Sequence, residues 1–156
     1  MNSMEQIFKK LKQIFWLVFG EFALLSMIVI VLKRILHVKD FIGFQSKITV
    51  VGMLLMLILI LLAYFIYDRY AKKSQKIEND NDEEKLEQQL ELYKKAMIVK
   101  MIMFNSVGTL SAIMLFLLYQ RTYLYMIGIV AVFFFISFPS EIRFKRDFLP
   151  KRQLFE

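Results

Sequence analysis

The chain contains no cysteine, one histidine and two prolines. Without cysteine there can be no disulfide, no thiolate nucleophile and no thiolate metal site. The one histidine, His37, has no second ligand at helical spacing, so neither a metal cage nor an acid–base pair can be built around it. A Walker loop, GxSxG and HExxH are also missing. These absences predict a protein without enzymatic activity and without a cofactor. Glycine is scarce as well, with five in the chain, so the Gly/Pro-interrupted helices that build many transporter sites are not expected.

Apolar residues, by contrast, are abundant. Of 156 residues 58% are hydrophobic, with 16 Phe and 10 Met, more than the interior of a soluble domain of this size can hide. They are bunched into four blocks, at about 14–32, 48–66, 101–119 and 123–138, each near the 17–25 residues that cross a bilayer. In lipid a helix satisfies its own backbone groups, so the expected fold is all-α: a polytopic membrane protein with four transmembrane helices and a single membrane domain over 1–156. The triplet Gln120–Thr122 leaves room only for a tight turn, making the last two spans antiparallel neighbours.

The net charge of +7 could suggest nucleic acid, but the basic residues flank the apolar blocks and no nucleic-acid-binding motif is present. Basic flanks point to anionic headgroups as the partner, with the bilayer itself. Sixteen of the 21 Lys and Arg lie before the first span, between the second and third, or after the fourth, which predicts cytoplasmic termini in a bacterial-type inner membrane. The 33–47 loop, with four basic residues, runs against that bias. The N-terminus resembles a signal peptide in its basic start, yet its apolar run is too long and lacks a small-residue cleavage site, so it reads as a retained span.

Between the second and third spans, Asn81 and Glu84 have the spacing of a capping box, predicting a helix from about Asp82. With an extension of the second span it forms a cytosolic helical hairpin over 67–97, joining two antiparallel membrane hairpins. Its Asn/Asp-rich tip at 79–82 lacks the glycine and terminal glutamate of a calcium loop and reads as a solvated turn. The basic tail, 141–156, interleaves cations with Phe144 and Phe148, either for the membrane surface or as a disordered end. Trp16, Tyr67, Tyr119, Tyr123 and Tyr125 lie near span ends, where an aromatic belt accounts for them. A weak internal repeat lays Lys9 onward on Lys94 onward with a constant offset of 85 residues.

One residue breaks the apolar pattern. Glu21 stands about seven residues inside the first span, roughly 10 Å below the edge of the hydrocarbon core. A charged group at mid-span costs about 2.5–3.5 kcal/mol, so this carboxyl needs a proton or partners. At matching depth stand Asn105 and Ser106 of the third span, Lys100 at its entrance and Tyr64 of the second span, a candidate intramembrane polar cluster. Gly108, Thr109, Ser111 and Ala112 form a candidate helix-packing face of small residues. Three roles for Glu21 stay open: hydrogen-bonding glue between helices, a proton or cation site, or a group facing a water-filled notch.

The stretch from about Leu90 to Phe148, with "YKKAMIVKMIMFNSVGTLSAIMLF" and "FPSEIRFKRDF", resembles a scattered family of small bacterial four-helix membrane proteins of unknown function. That resemblance implies the four-helix fold and no activity; an acidic residue, common there near position 105, is Asn105 here. A fainter likeness is to rotary-ATPase proteolipids, which place one Glu inside a hairpin helix but are far richer in glycine. The expected role is an accessory or assembly subunit of a membrane complex, binding other subunits or itself. The alternative is a homo-oligomeric proton- or cation-linked transporter or channel using Glu21.

Overall fold

The computed structural model describes residues 3–36, 45–77, 81–118 and 121–149. His37, Tyr119, Gln120, most of the 33–47 loop, the tip at 78–80 and the tail beyond 149 lie outside the described residues, as do the expectations that rest on them. The described residues are 94% helical and contain no strand; the helices are α1 (Ser3–Leu36), α2 (Gln45–Gln75), α3 (Asp82–Leu118), α4 (Arg121–Ile136) and α5 (Glu141–Phe148). Three of these helices are long and apolar enough to cross a membrane, and a fourth crossing requires α4 and α5, bent by 83°, to count as one. That composition is consistent with an integral membrane protein.

Local sequence explains where the helices begin. Asn81 caps α3 with its side-chain Oδ1, which accepts from the Glu83 amide at 3.2 Å. Acids at Asp82, Glu83 and Glu84 then fill the first turn, where the helix dipole favours them. The exposed Glu91–Lys95 pair, at 3.5 Å, adds little. Ser140 caps α5, its Oγ accepting from the Arg143 amide, and Pro139 sits in the bend after α4, where no backbone donor is needed.

The 37 residues of α3 reach about 55 Å, far beyond a hydrocarbon core of about 30 Å. α3 is the spine of the bundle and packs against α1, α2, α4 and α5. Against α1 it runs parallel: Phe8 meets Tyr93, Phe22 lies on Gly108, and Lys33 Nζ donates to the Phe116 carbonyl at 2.9 Å. These partners are 83 to 86 residues apart, the register of the weak repeat. Against α2 the direction reverses, with Ser111 at Met56, Lys100 at Tyr64 and Gln89 at Ser74. α4 fills the remaining side through rings: Phe134 touches Phe15, Phe19, Phe22 and Phe104. α1 and α2, consecutive in sequence, meet mainly through α3 and α4 and are not a directly packed hairpin.

Many outward-facing residues of the long helices are large and apolar. Leu17, Leu24 and Met27 on α1, Leu57, Leu61 and Phe65 on α2, and Val132 and Phe135 on α4 are all exposed, as lipid-facing positions are. Trp16 and Tyr125 are exposed and suit an aromatic belt. Tyr67 and Tyr123 do not, because both are buried. Tyr123 lies over Gly52, so that a Cβ there would stand 3.0 Å from its hydroxyl.

The extensions of α2 and α3 do not stand alone as a hairpin. α5 folds across them and buries Phe144 and Phe148 completely, against Tyr93, Tyr67 and Phe8. These two rings therefore belong to the protein interior and not to a headgroup layer. Hydrogen bonds complete the cap: Ser74 Oγ donates to the Phe148 carbonyl, Gln75 Nε2 to the Asp147 carbonyl, and Tyr67 to the Asp147 carboxylate at 3.0 Å. Tyr93 both donates to the Ser140 carbonyl and accepts from its amide.

Candidate functional site

The residues that depth alone groups around Glu21 fall into two sites on opposite sides of α3. At 100° per residue, Lys100, Phe104, Val107 and Ser111 share one face of the helix. Asn105, Ser106 and Thr109 lie well over 100° away from Lys100. Lys100 therefore cannot serve as the counter-ion of Glu21.

Glu21, Asn105, Ser106 and Thr109 line a lateral groove between α1 and α3, whose rims are Val18, Ile102, Leu110 and Ile113. Glu21 is exposed along this groove, on the outside of the bundle. Ser106 is also exposed, and its Oγ donates back to the Ile102 carbonyl of its own helix at 2.9 Å. Asn105 Oδ1 is buried and has no hydrogen-bond partner among the described residues. Hydroxyl, amide and carboxyl groups thus converge at the depth where lipid offers no hydrogen bonds. A helix laid into the groove could bond the exposed Glu21 and Ser106 directly, and Asn105 after a turn of its amide.

The small residues next to this groove serve the bundle itself. At Gly108 α1 comes close: a Cβ there would lie 2.4 Å from two carbons of the Phe22 ring. Ser111 is buried on the α2 side and donates to the Val107 carbonyl at 2.8 Å, with Met56 Sδ at 3.2 Å. Ala112 is buried too. Thr109 alone of the four faces the groove. Gly108, Ser111 and Ala112 are consequently covered by this chain and cannot form a surface for another.

Lys100 occupies the second site. Its ammonium sits over the Tyr64 ring, 3.9 Å from the centroid, and 4.6 Å from that of Tyr67. These ring faces stabilise a cation that has left bulk water. A cleft of about 530 Å³ opens beside it, walled by Tyr64, Tyr67, Asp68 and Lys72 of α2 and by Arg143, Arg146 and Asp147 of α5. Neither the cleft nor α5's part in it was foreseen from sequence; the signal was present in Phe144 and Phe148, one turn apart as an apolar stripe that needs a partner face.

Among the described residues no group of three His, Asp or Glu side chains could hold a metal ion. Compared with protein-family models, with curated proteins and with solved structures, the chain matches none.

Proposed function

We propose that this chain is a non-enzymatic accessory or assembly subunit of a membrane complex. It crosses a bacterial-type inner membrane four times, with α4 as the fourth span, and has both termini in the cytoplasm. Its partner is a transmembrane helix of a different polypeptide, carrying a hydrogen-bond donor at the depth of Glu21 and lying in the α1–α3 groove.

The observation that carries this reading is the outward exposure of Glu21 beside the unpartnered Asn105 Oδ1. A carboxyl that glued α1 to α3 would be enclosed between them, and one on a pathway through the bundle would face inward. Left toward lipid, it stays costly until another helix covers it. Hydrogen bonds between membrane helices average about 0.6 kcal/mol and reach about 1.7, so the loss of one weakens association roughly three- to twentyfold.

The test is native mass determination of the chain extracted gently from its own membrane. A complex with a second polypeptide, lost in Glu21→Leu, is the expected result. A pure homo-oligomer whose proton or cation flux is abolished by Glu21→Gln would replace this reading with the transporter alternative.

A further inference from the structure

The cleft beside Lys100 has an unusual charge balance. Both of its acids are already engaged: Asp68 pairs with Lys72 at 2.6 Å, and Asp147 accepts from Tyr67 and from Arg146. Two cations are left over. Lys100 is 4% exposed, and its ammonium touches only ring faces, with no hydrogen-bond acceptor among the described residues. Arg143 lines the same cleft with a guanidinium that makes no ion pair or side-chain hydrogen bond among the described residues, and its positive charge bears on Lys100, offset only in part by the Asp147 carboxylate that Tyr67 and Arg146 already share. Two converging cations repel unless an anion lies between them, and a guanidinium fork with an ammonium is the usual donor set for phosphate.

Position identifies the source of that anion. The cleft lies where the apolar run of α2 ends, between Tyr64 on the apolar side and Asp68 on the polar side. α5, bent by 83° from α4, forms one wall across the end of the bundle, and Ile136 of α4 lines the cleft's apolar edge. A group held there has its charge at headgroup level and an apolar surface along which acyl chains can leave. We infer that the cleft binds the phosphate of an anionic phospholipid, with Lys100 and Arg143 as its cationic ligands. The site is separate from the Glu21 groove, and neither depends on the other.

The experiment offers phosphatidylglycerol and phosphatidylcholine in competition to the purified full chain in detergent and counts bound lipids by native mass spectrometry. The expected result is one retained lipid with a preference of about tenfold or more for phosphatidylglycerol: both lipids offer the phosphate, but the choline ammonium of phosphatidylcholine would bring a third cation beside Lys100 and Arg143. Arg143→Gln removes most of that preference, and Lys100→Met removes the rest. Arg143 is half-buried and makes no ion pair or side-chain hydrogen bond among the described residues, so its variant should melt close to the wild type even if Lys100→Met does not fold. Lys76→Gln, on the neighbouring basic strip, should leave the preference within about twofold of wild type, which separates a built site from general attraction to anionic lipid. Equal retention of the two lipids, or an undiminished preference in Arg143→Gln, would overturn the inference. So would displacement of the retained lipid by millimolar inorganic phosphate, since the ligand would then be a soluble anion.

Discussion

α3 presents two seams of opposite character. Toward α1 it offers Gly108 and receives an edge of the Phe22 ring, so the two helices approach closely there. The polar residues beside that contact, Asn105, Ser106 and Thr109, are then left at the groove's open edge with Glu21. Toward α2 it offers Lys100 and Ser111, and both are wrapped: Lys100 by the rings of Tyr64 and Tyr67, Ser111 by a carbonyl of its own helix and the sulfur of Met56. The protein therefore encloses its base and leaves its acid outside. Enclosed polar groups hold this bundle together, whereas an acid left toward lipid is a feature that the isolated chain does not use.

Substitutions can break that contrast at graded strength. The largest loss is expected from Phe134→Ala, which empties the ring cluster common to α1, α3 and α4. In lipid the transfer contribution is small and the cavity dominates, so about 2–3 kcal/mol of stability should be lost in thermal or denaturant unfolding in detergent. Next comes Gly108→Ala, whose methyl group would meet the Phe22 ring at 2.4 Å and should cost about 1–3 kcal/mol. If the close contact is the cause, adding Phe22→Leu to Gly108→Ala should recover part of the loss, whereas additive losses would contradict it. Tyr67→Phe deletes one hydrogen bond to Asp147 while keeping the ring under Lys100, and should cost about 1 kcal/mol, seen as faster hydrogen exchange in α5. Smallest is Glu21→Gln, expected to change the stability of the isolated chain by less than about 0.5 kcal/mol, because Glu21 is exposed and makes no hydrogen bond or ion pair among the described residues. A large loss there would mean that Glu21 does hold α1 to α3.

Much of the fold was legible because hydropathy and capping are local. The apolar blocks became α1 to α4, and Asn81 opened α3 where its spacing with Glu84 placed the start. The candidate cluster was legible only in depth. Glu21 does meet Asn105 and Ser106 in one groove, but Lys100 stands five residues nearer the start of α3 than Asn105, and the helical angle between them sends it to the other side of the helix. That angle could have been read from the sequence. The docking of α5 could not, because Phe144 and Phe148 suit a lipid surface and a protein groove equally well. What decides between them is that α2 and α3 run past the apolar layer and present Tyr67 and Tyr93 side by side. Tyr123 went the same way, since a tyrosine near a span end is indistinguishable from a belt residue until Gly52 makes room for it.

The absence of native cysteine allows a direct test of the outward-facing acid. A photo-crosslinker attached through Ser106→Cys, at the open edge of the Glu21 groove, is compared in native membranes with one attached through Leu57→Cys, on the exposed face of α2. The account predicts a discrete adduct to a different polypeptide from position 106, none from position 57, and its disappearance when Glu21→Leu is added. An adduct only to a second copy of this chain, or equal labelling from both positions, would contradict it.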